Sequence, residues 1–145
     1  MKRICLLLIM SLMTLWGFAQ NNQLVSWKID TVKIGPLTYE LKIKATIKES
    51  WHIYSQDPSR GGVAMPTQII FEENRNIEMI GKTQEKGVEQ EDGKSCSYYS
   101  KEVTFTQKIK LKSEDKTNLN FTIKYMICTD QMCQPPSSKK FSVII

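Results

Sequence analysis

The sequence contains a single histidine among 145 residues, and no apolar run approaches the roughly 20 residues of a bilayer-spanning helix. One histidine excludes metal sites built on two imidazoles. The sequence also lacks a Gly-x-Ser-x-Gly nucleophile motif, a phosphate-binding loop, internal repeats and low-complexity linkers. Hydrophobic residues make up 41% and charged residues 24%. This is ordinary globular composition, which excludes a disordered or collagen-like chain.

The first nineteen residues carry the three parts of a secretory signal peptide. Two basic residues open the segment, an apolar stretch runs from Ile4 to Leu15, and Gly17 and Ala19 supply the small residues of a signal-peptidase site. The sequence therefore predicts a signal peptide over residues 1–19, export, and a mature domain over residues 20–145.

Charge gives little indication of a polyanionic partner. Removal of the signal peptide lowers the formal net charge from +5 to +3, because Lys2 and Arg3 are its only charged residues. The remaining lysines are spread singly along alternating segments, a distribution typical of solvated strand faces. We therefore expect no nucleic-acid partner.

Apolar and polar residues alternate with a period of two through much of the remaining chain. The alternation is strict from Leu37 to Lys48 and returns over Val103–Leu111 and Leu119–Ile127. Such a period is typical of half-buried β-strands. Shorter candidate strands are Leu24–Val32, Trp51–Tyr54, Thr67–Phe71, Ile77–Ile80 and Phe141–Ile145. Seven or eight strands separated by turn residues predict a single all-β domain, an immunoglobulin-like antiparallel β-sandwich.

The cysteines offer the most specific chemistry. Cys5 is expected to be lost with the signal peptide, whereas Cys128 and Cys133 are close neighbours just before Pro135 and Pro136. In an oxidising compartment such a pair can form a disulfide. Closing a loop of about six residues stabilises a fold by only about 2 kcal/mol, so the pair is poorly placed as a structural link. Short disulfides on loops more often exchange, yet spacing alone leaves a structural and a redox role both open.

The cysteine segment resembles a known family. Cys128 and Cys133, followed by Pro135-Pro136 and preceded by a strand that includes Tyr125, are similar to the N-terminal periplasmic domain of the thiol:disulfide interchange protein DsbD. Three further segments support the resemblance: Trp51-His52-Ile53-Tyr54, Met65-Pro66-Thr67 and Gly93-Lys94-Ser95. The resemblance implies an immunoglobulin-like sandwich, the same fold that the alternation predicts.

The resemblance implies a thiol:disulfide oxidoreductase that relays electrons in the periplasm. The family's domain accepts electrons from a membrane electron transporter through a thioredoxin-like domain and passes them to oxidised periplasmic thiol proteins, including those of cytochrome c biogenesis. By resemblance, Cys133 forms the mixed disulfide with the partner and Cys128 resolves it. No cofactor is implied beyond the disulfide itself. Because the sequence ends at Ile145 without membrane helices or a thioredoxin-like domain, we expect either a stand-alone relay module or an electron donor and a transporter on other chains.

A pocket around the cysteines is also implied. The residues that match the family's cap loop are Glu89, Gln90, Glu91 and Asp92, and those expected to wall the pocket are His52 and Tyr54. Carboxylates beside a thiol would raise its pKa and keep the reduced pair from reacting indiscriminately. Without the resemblance, a solvated acidic turn and a packed or exposed histidine ring are the simpler interpretations.

Two features of the cap depart from the family pattern. The cap has no shielding aromatic residue, unless Tyr98 or Tyr99 takes that place. Cys96, just after the cap, is an extra thiol that is either a buried apolar residue or close enough to exchange with the pair.

Two other classes of function remain open. The chain fits a non-catalytic β-sandwich adaptor with a structural disulfide. Alternatively, Cys96, Cys128, Cys133 and His52 could form a Cys3His zinc or copper site, although their spacing resembles no known zinc finger.

Overall fold

A computed structural model describes residues 23–57, 65–91 and 97–145. These residues form nine β-strands and no helix: β1 (Val25–Gly35), β2 (Thr38–Ile47), β3 (His52–Tyr54), β4 (Gln68–Phe71), β5 (Ile77–Glu91), β6 (Ser97–Leu111), β7 (Asn118–Tyr125), β8 (Ile127–Cys128) and β9 (Ser137–Ile144). Within these ranges nothing has the helical length and apolarity that a bilayer span requires. The predicted signal peptide lies outside the described residues.

The larger sheet is organised around the long strand β6. One edge of β6 pairs with β5 along its length, and the other edge pairs first with β3 and then with β2. β1 pairs with the far edge of β2, and β8 pairs with the far edge of β3. All of these pairings are antiparallel. The end of the sheet that contains β3 and β8 carries the cysteines.

The smaller sheet has the order β4-β7-β9 and completes the sandwich. Its inward residues join those of the larger sheet in one hydrophobic cluster, which includes Leu41, Ile43 and Phe105 from one sheet and Phe121 and Ile123 from the other. All five are essentially inaccessible to solvent. The alternation in the sequence therefore predicted the correct inward faces of β2, β6 and β7, and the predicted immunoglobulin-like β-sandwich is confirmed.

The largest difference from the predicted strands lies in the hairpin of β5 and β6. The sequence predicts strands over Ile77–Ile80 and Val103–Leu111, but β5 continues to Glu91 and β6 begins at Ser97. The added residues are largely polar, and they extend the hairpin through backbone pairing rather than through an apolar face. Periodicity cannot detect such a pairing.

A buried glutamine accommodates an irregularity in β5. The pairing of β5 with β6 shifts register between Ile80 and Gln84. Gln107 on β6 is 2% exposed and fills this position. Its amide nitrogen donates to the carbonyl oxygens of Ile80 at 3.2 Å and Gly81 at 3.4 Å, and its Oε1 accepts from Thr83 Oγ1 at 2.8 Å. A polar side chain in an apolar alternation thus donates to carbonyl groups at the irregularity.

Candidate functional site

Cys128 reaches its position because the chain changes sheets after β7. β7 ends at Tyr125 in the smaller sheet, and β8 then pairs with β3 in the larger one. In that pair Cys128 lies opposite His52, and Ile127 lies opposite Ile53. Successive side chains of a strand point to opposite faces. Since both isoleucines belong to the core cluster, Cys128 and His52 face the other side of the sheet together.

A disulfide joins Cys128 to Cys133, with their Cα atoms 4.0 Å apart. The two residues also form an isolated antiparallel bridge. Just outside them, the N–H of Gln134 donates to the carbonyl oxygen of Ile127 at 2.9 Å. The disulfide therefore closes the neck of a short loop on the way from β8 to β9.

The four residues between the cysteines form a turn that begins at Thr129 and is closed by hydrogen bonds from this residue. The N–H of Thr129 donates to the carbonyl oxygen of Met132 at 2.7 Å. The side-chain oxygen of Thr129 accepts from the N–H of Gln131 at 3.3 Å and from that of Met132 at 3.1 Å. A threonine that binds backbone groups two and three residues onward is a known way to stabilise a turn.

The two cysteines differ sharply in exposure. Cys128 is 0% exposed, whereas Cys133 is exposed, as are Asp130 and Gln131 in the turn. Met132, next to Cys133, is 55% exposed. Cys133 is therefore the more accessible residue of the pair.

Aromatic rings line the face of the sheet that carries Cys128. The His52 ring is 8% exposed. It packs on Tyr98 with ring centroids 4.4 Å apart, and edge-to-face on Tyr54 at 5.4 Å. His52 Nε2 lies 3.4 Å from the hydroxyl oxygen of Tyr54. The structure thus places His52 and Tyr54 on the strand beside Cys128, and Tyr98 joins them. Tyr99 instead belongs to the hydrophobic core.

The cap residues are only partly described. Glu89, Gln90 and Glu91 belong to β5, where their backbones pair with Tyr99, Tyr98 and Ser97. These three residues are therefore strand residues rather than loop residues, because the β5–β6 ladder extends further than the sequence pattern indicates, and their role as a cap over the cysteines stays a prediction. Asp92 and Cys96 lie outside the described residues.

A polar network that the sequence did not predict fixes the end of β3. Ser55 is 2% exposed, and its hydroxyl donates to Glu85 Oε1 on β5. The other oxygen of the same carboxylate accepts from the N–H of Gln56 at 3.0 Å. Thr67 Oγ1 donates to the carbonyl oxygen of Tyr54 at 2.6 Å. Ser55 and Glu85 are 30 residues apart in the sequence, so no local pattern signals their contact.

The alternative metal site lacks free thiolates in this oxidised state, because Cys128 and Cys133 are bonded to each other. Among the residues that the structure describes, no group of three or more His, Cys, Asp or Glu side chains is placed to hold a metal ion. Cys96, the remaining ligand of that hypothesis, lies outside the described residues.

The described residues form an immunoglobulin-like sandwich with a disulfide at one end of its larger sheet, in which one cysteine is exposed and the other is buried. Residues 22–145 match the family model described as "Thiol:disulfide interchange protein DsbD, N-terminal". The chain belongs to this family, which is involved in thiol:disulfide interchange, and the resemblance noted in the sequence is confirmed. A comparison with curated proteins finds no match.

Three solved structures resemble the fold. The yeast GGA1 GAE domain has 10% sequence identity and a TM-score of 0.51, over 86% of this chain and 96% of that one. The N-terminal periplasmic domain of ScsB from Proteus mirabilis has 18% identity and a TM-score of 0.49, over 83% of this chain and 44% of that one. The DsbD N-terminal domain of Neisseria meningitidis, in its reduced form, has 12% identity and a TM-score of 0.41, over 79% and 82%.

Proposed function

We propose that this chain is a periplasmic thiol–disulfide interchange module that relays electrons through Cys128 and Cys133. The observation that carries the proposal is the contrast between the exposed Cys133 and the fully buried Cys128 within one disulfide. Exchange requires one sulfur that a partner can reach and a second that is held beside it. A bridge with a purely structural role has no need of such an asymmetry.

Reduction of the module begins at the exposed sulfur. A donor thiolate attacks Cys133 Sγ, the Cys128–Cys133 bond breaks, and Cys128 leaves as a thiolate that takes up a proton. The donor's second thiol then attacks its own sulfur in the mixed disulfide and releases Cys133. Two electrons have passed from the donor dithiol, which becomes a disulfide, to the module.

The module passes its electrons to an oxidised protein through the same sulfur, that of Cys133. The Cys133 thiolate attacks the disulfide of an oxidised protein and forms a mixed disulfide with it. Cys128 then attacks Cys133 Sγ, restores the internal bond and releases the acceptor as a dithiol. No cofactor takes part. Burial of Cys128 limits its access to outside disulfides, so it acts on Cys133 alone.

The partners follow from the family and from the predicted export. A thioredoxin-like donor domain and a membrane electron transporter supply the electrons, and oxidised periplasmic thiol proteins receive them. The signal peptide over residues 1–19 directs the domain to the periplasm and is removed there. Mass spectrometry of the exported protein is expected to find an N-terminus at Gln20, and retention of the apolar segment would contradict this part of the proposal.

Equilibrium titration of the disulfide against glutathione and dithiothreitol buffers tests the redox role. A relay must exchange electrons with other dithiols, so we expect a reduction potential in the range of exchanging pairs, above about −300 mV. A potential below that value, which is typical of structural disulfides, would favour the adaptor function instead. The matched control is the Cys128→Ser/Cys133→Ser double variant, in which the titrating signal must vanish.

A further inference from the structure

We propose that Thr129 is a positioning residue of the redox pair: its hydroxyl keeps the turn closed when the disulfide is reduced, so that the two thiols remain side by side. The inference rests on the proposed function of Cys128 and Cys133 and adds a residue that neither the family pattern nor the cysteine spacing indicates. It follows from the hydrogen bonds inside the turn.

The Thr129 hydroxyl uses its full hydrogen-bonding capacity within this turn. A hydroxyl can donate one hydrogen bond and accept two. Thr129 Oγ1 accepts from the N–H groups of Gln131 and Met132, and it also lies 3.4 Å from the carbonyl oxygen of Met132, to which it can donate. With the backbone bond from its own N–H at 2.7 Å, this one residue binds three backbone groups of the segment that leads to Cys133.

Without the disulfide, Cys133 is held beside Cys128 by hydrogen bonds. The pairing of β8 with β3 fixes Cys128, and the N–H of Gln134 donates to the carbonyl oxygen of Ile127. After reduction Cys133 is therefore held by this backbone bond together with the turn that leads to it, and the side chain that closes this turn is Thr129.

The oxidised and reduced forms of the cysteine pair respond differently to loss of the Thr129 hydroxyl. In the oxidised state the covalent bond keeps the turn closed whether or not the hydroxyl is present. In the reduced state only hydrogen bonds close the turn. Loss of the hydroxyl therefore lets the two thiols separate, and the turn gains conformational freedom. Removing the hydroxyl therefore favours the dithiol and lowers the effective concentration of Cys128 at Cys133. The attack of Cys128 that releases a partner from Cys133 is therefore slowed by the same factor as this effective concentration is lowered.

A set of threonine variants isolates the hydroxyl. Thr129→Val removes the hydroxyl and keeps the branched side chain, whereas Thr129→Ser keeps the hydroxyl and removes the methyl group. Thr38→Val is the matched control, because Thr38 Oγ1 also bonds a turn carbonyl, that of Pro36 at 2.9 Å, in the hairpin of β1 and β2. Each protein is titrated against a glutathione buffer, and the thermal unfolding of its oxidised form is recorded.

We expect Thr129→Val to shift the dithiol–disulfide equilibrium about tenfold toward the dithiol, which corresponds to about 30 mV toward a less negative potential for this two-electron couple. Thr129→Ser and Thr38→Val are expected to stay within about twofold of the unsubstituted protein. An unchanged or more negative potential for Thr129→Val overturns the inference, as does an equal shift for Thr129→Ser. If the unsubstituted protein itself resists reduction below about −300 mV, the proposed relay fails, and this inference fails with it.

Discussion

His52 and Cys128 are direct partners in the antiparallel pair of β3 and β8, and both side chains leave the same face of the sheet. Directly opposed residues in such a pair have Cβ atoms about 4.5–5.5 Å apart. The His52 ring, which packs against Tyr98 and Tyr54, is therefore placed next to Cys128 across this pair. From this placement we expect the ring to restrict access to Cys128, so that partners enter at the exposed Cys133.

Removing the His52 ring is expected to open a path to Cys128. In a Cys133→Ser background the single thiol of the pair is buried, so alkylation by iodoacetamide is expected to be slow. His52→Ala should raise the alkylation rate of Cys128 several-fold, whereas His52→Phe, which keeps an aromatic ring in the wall, should leave it close to the parent rate. Peptide mapping of the alkylated cysteine measures the rate at this position alone. Equal rates in all three proteins would mean that the ring does not shield the sulfur.

Gly87 on β5 should not tolerate a side chain. A Cβ there would lie 2.8 Å from the carbonyl oxygen of Glu102 and 2.8 Å from Cδ1 of the Tyr99 ring. Because both neighbours belong to the paired β6 strand, Gly87→Ala is expected to cost about 1–3 kcal/mol of unfolding free energy. Gly35→Ala is the control, since its nearest non-neighbour atom would be 3.7 Å away. Urea denaturation measures both, and equal stability of the two variants would contradict the close packing of Tyr99 on Gly87.

Gln107 should be required for the irregularity in β5. Gln107→Leu fills a similar volume but leaves the carbonyl groups of Ile80 and Gly81 without their side-chain donor. An unsatisfied buried polar group costs about 1–3 kcal/mol, and we expect a loss of stability in that range by urea denaturation. Thr83→Val, which removes only the bond to Gln107 Oε1, should cost less. A Gln107→Leu protein as stable as the parent would show that water replaces the amide.

The local alternation of apolar and polar residues predicted the parts of the fold that depend on burial alone. The alternation through β2, β6 and β7 reports which side chains face the core, because a strand with one buried face must alternate. The same rule placed Gln107 inward but could not say why a polar residue is buried there. Its reason is the bulge in β5, which is a feature of the pairing between strands.

Contacts between residues that are distant in the sequence could not be predicted from it. The change of sheets at Met126 interrupts a pattern that reads as one strand through Ile127, and only the pairing of β8 with β3 reveals it. The network of Ser55 and Glu85 joins residues from different strands and leaves no periodic signal. The cysteines themselves were found from sequence because their spacing and the following prolines are local. Their difference in exposure was not predictable, since it depends on the strand that lies beside Cys128.

We propose that partners exchange with Cys133 and that Cys128 resolves the adduct. The direct measurement uses a thioredoxin-like donor that keeps only its attacking cysteine, activated as a mixed disulfide with an aryl thiol such as 2-nitro-5-thiobenzoate. Reduced Cys128→Ser and Cys133→Ser proteins are incubated with it, and the adducts on a non-reducing gel are identified by peptide mass. With Cys128→Ser, the Cys133 thiolate displaces the aryl thiolate and neither protein keeps a second thiol of its pair to release the adduct, so the mixed disulfide should accumulate. With Cys133→Ser, the remaining sulfur is buried and no adduct should build up. Adducts that form equally well through Cys128, or through neither cysteine, would contradict the claim.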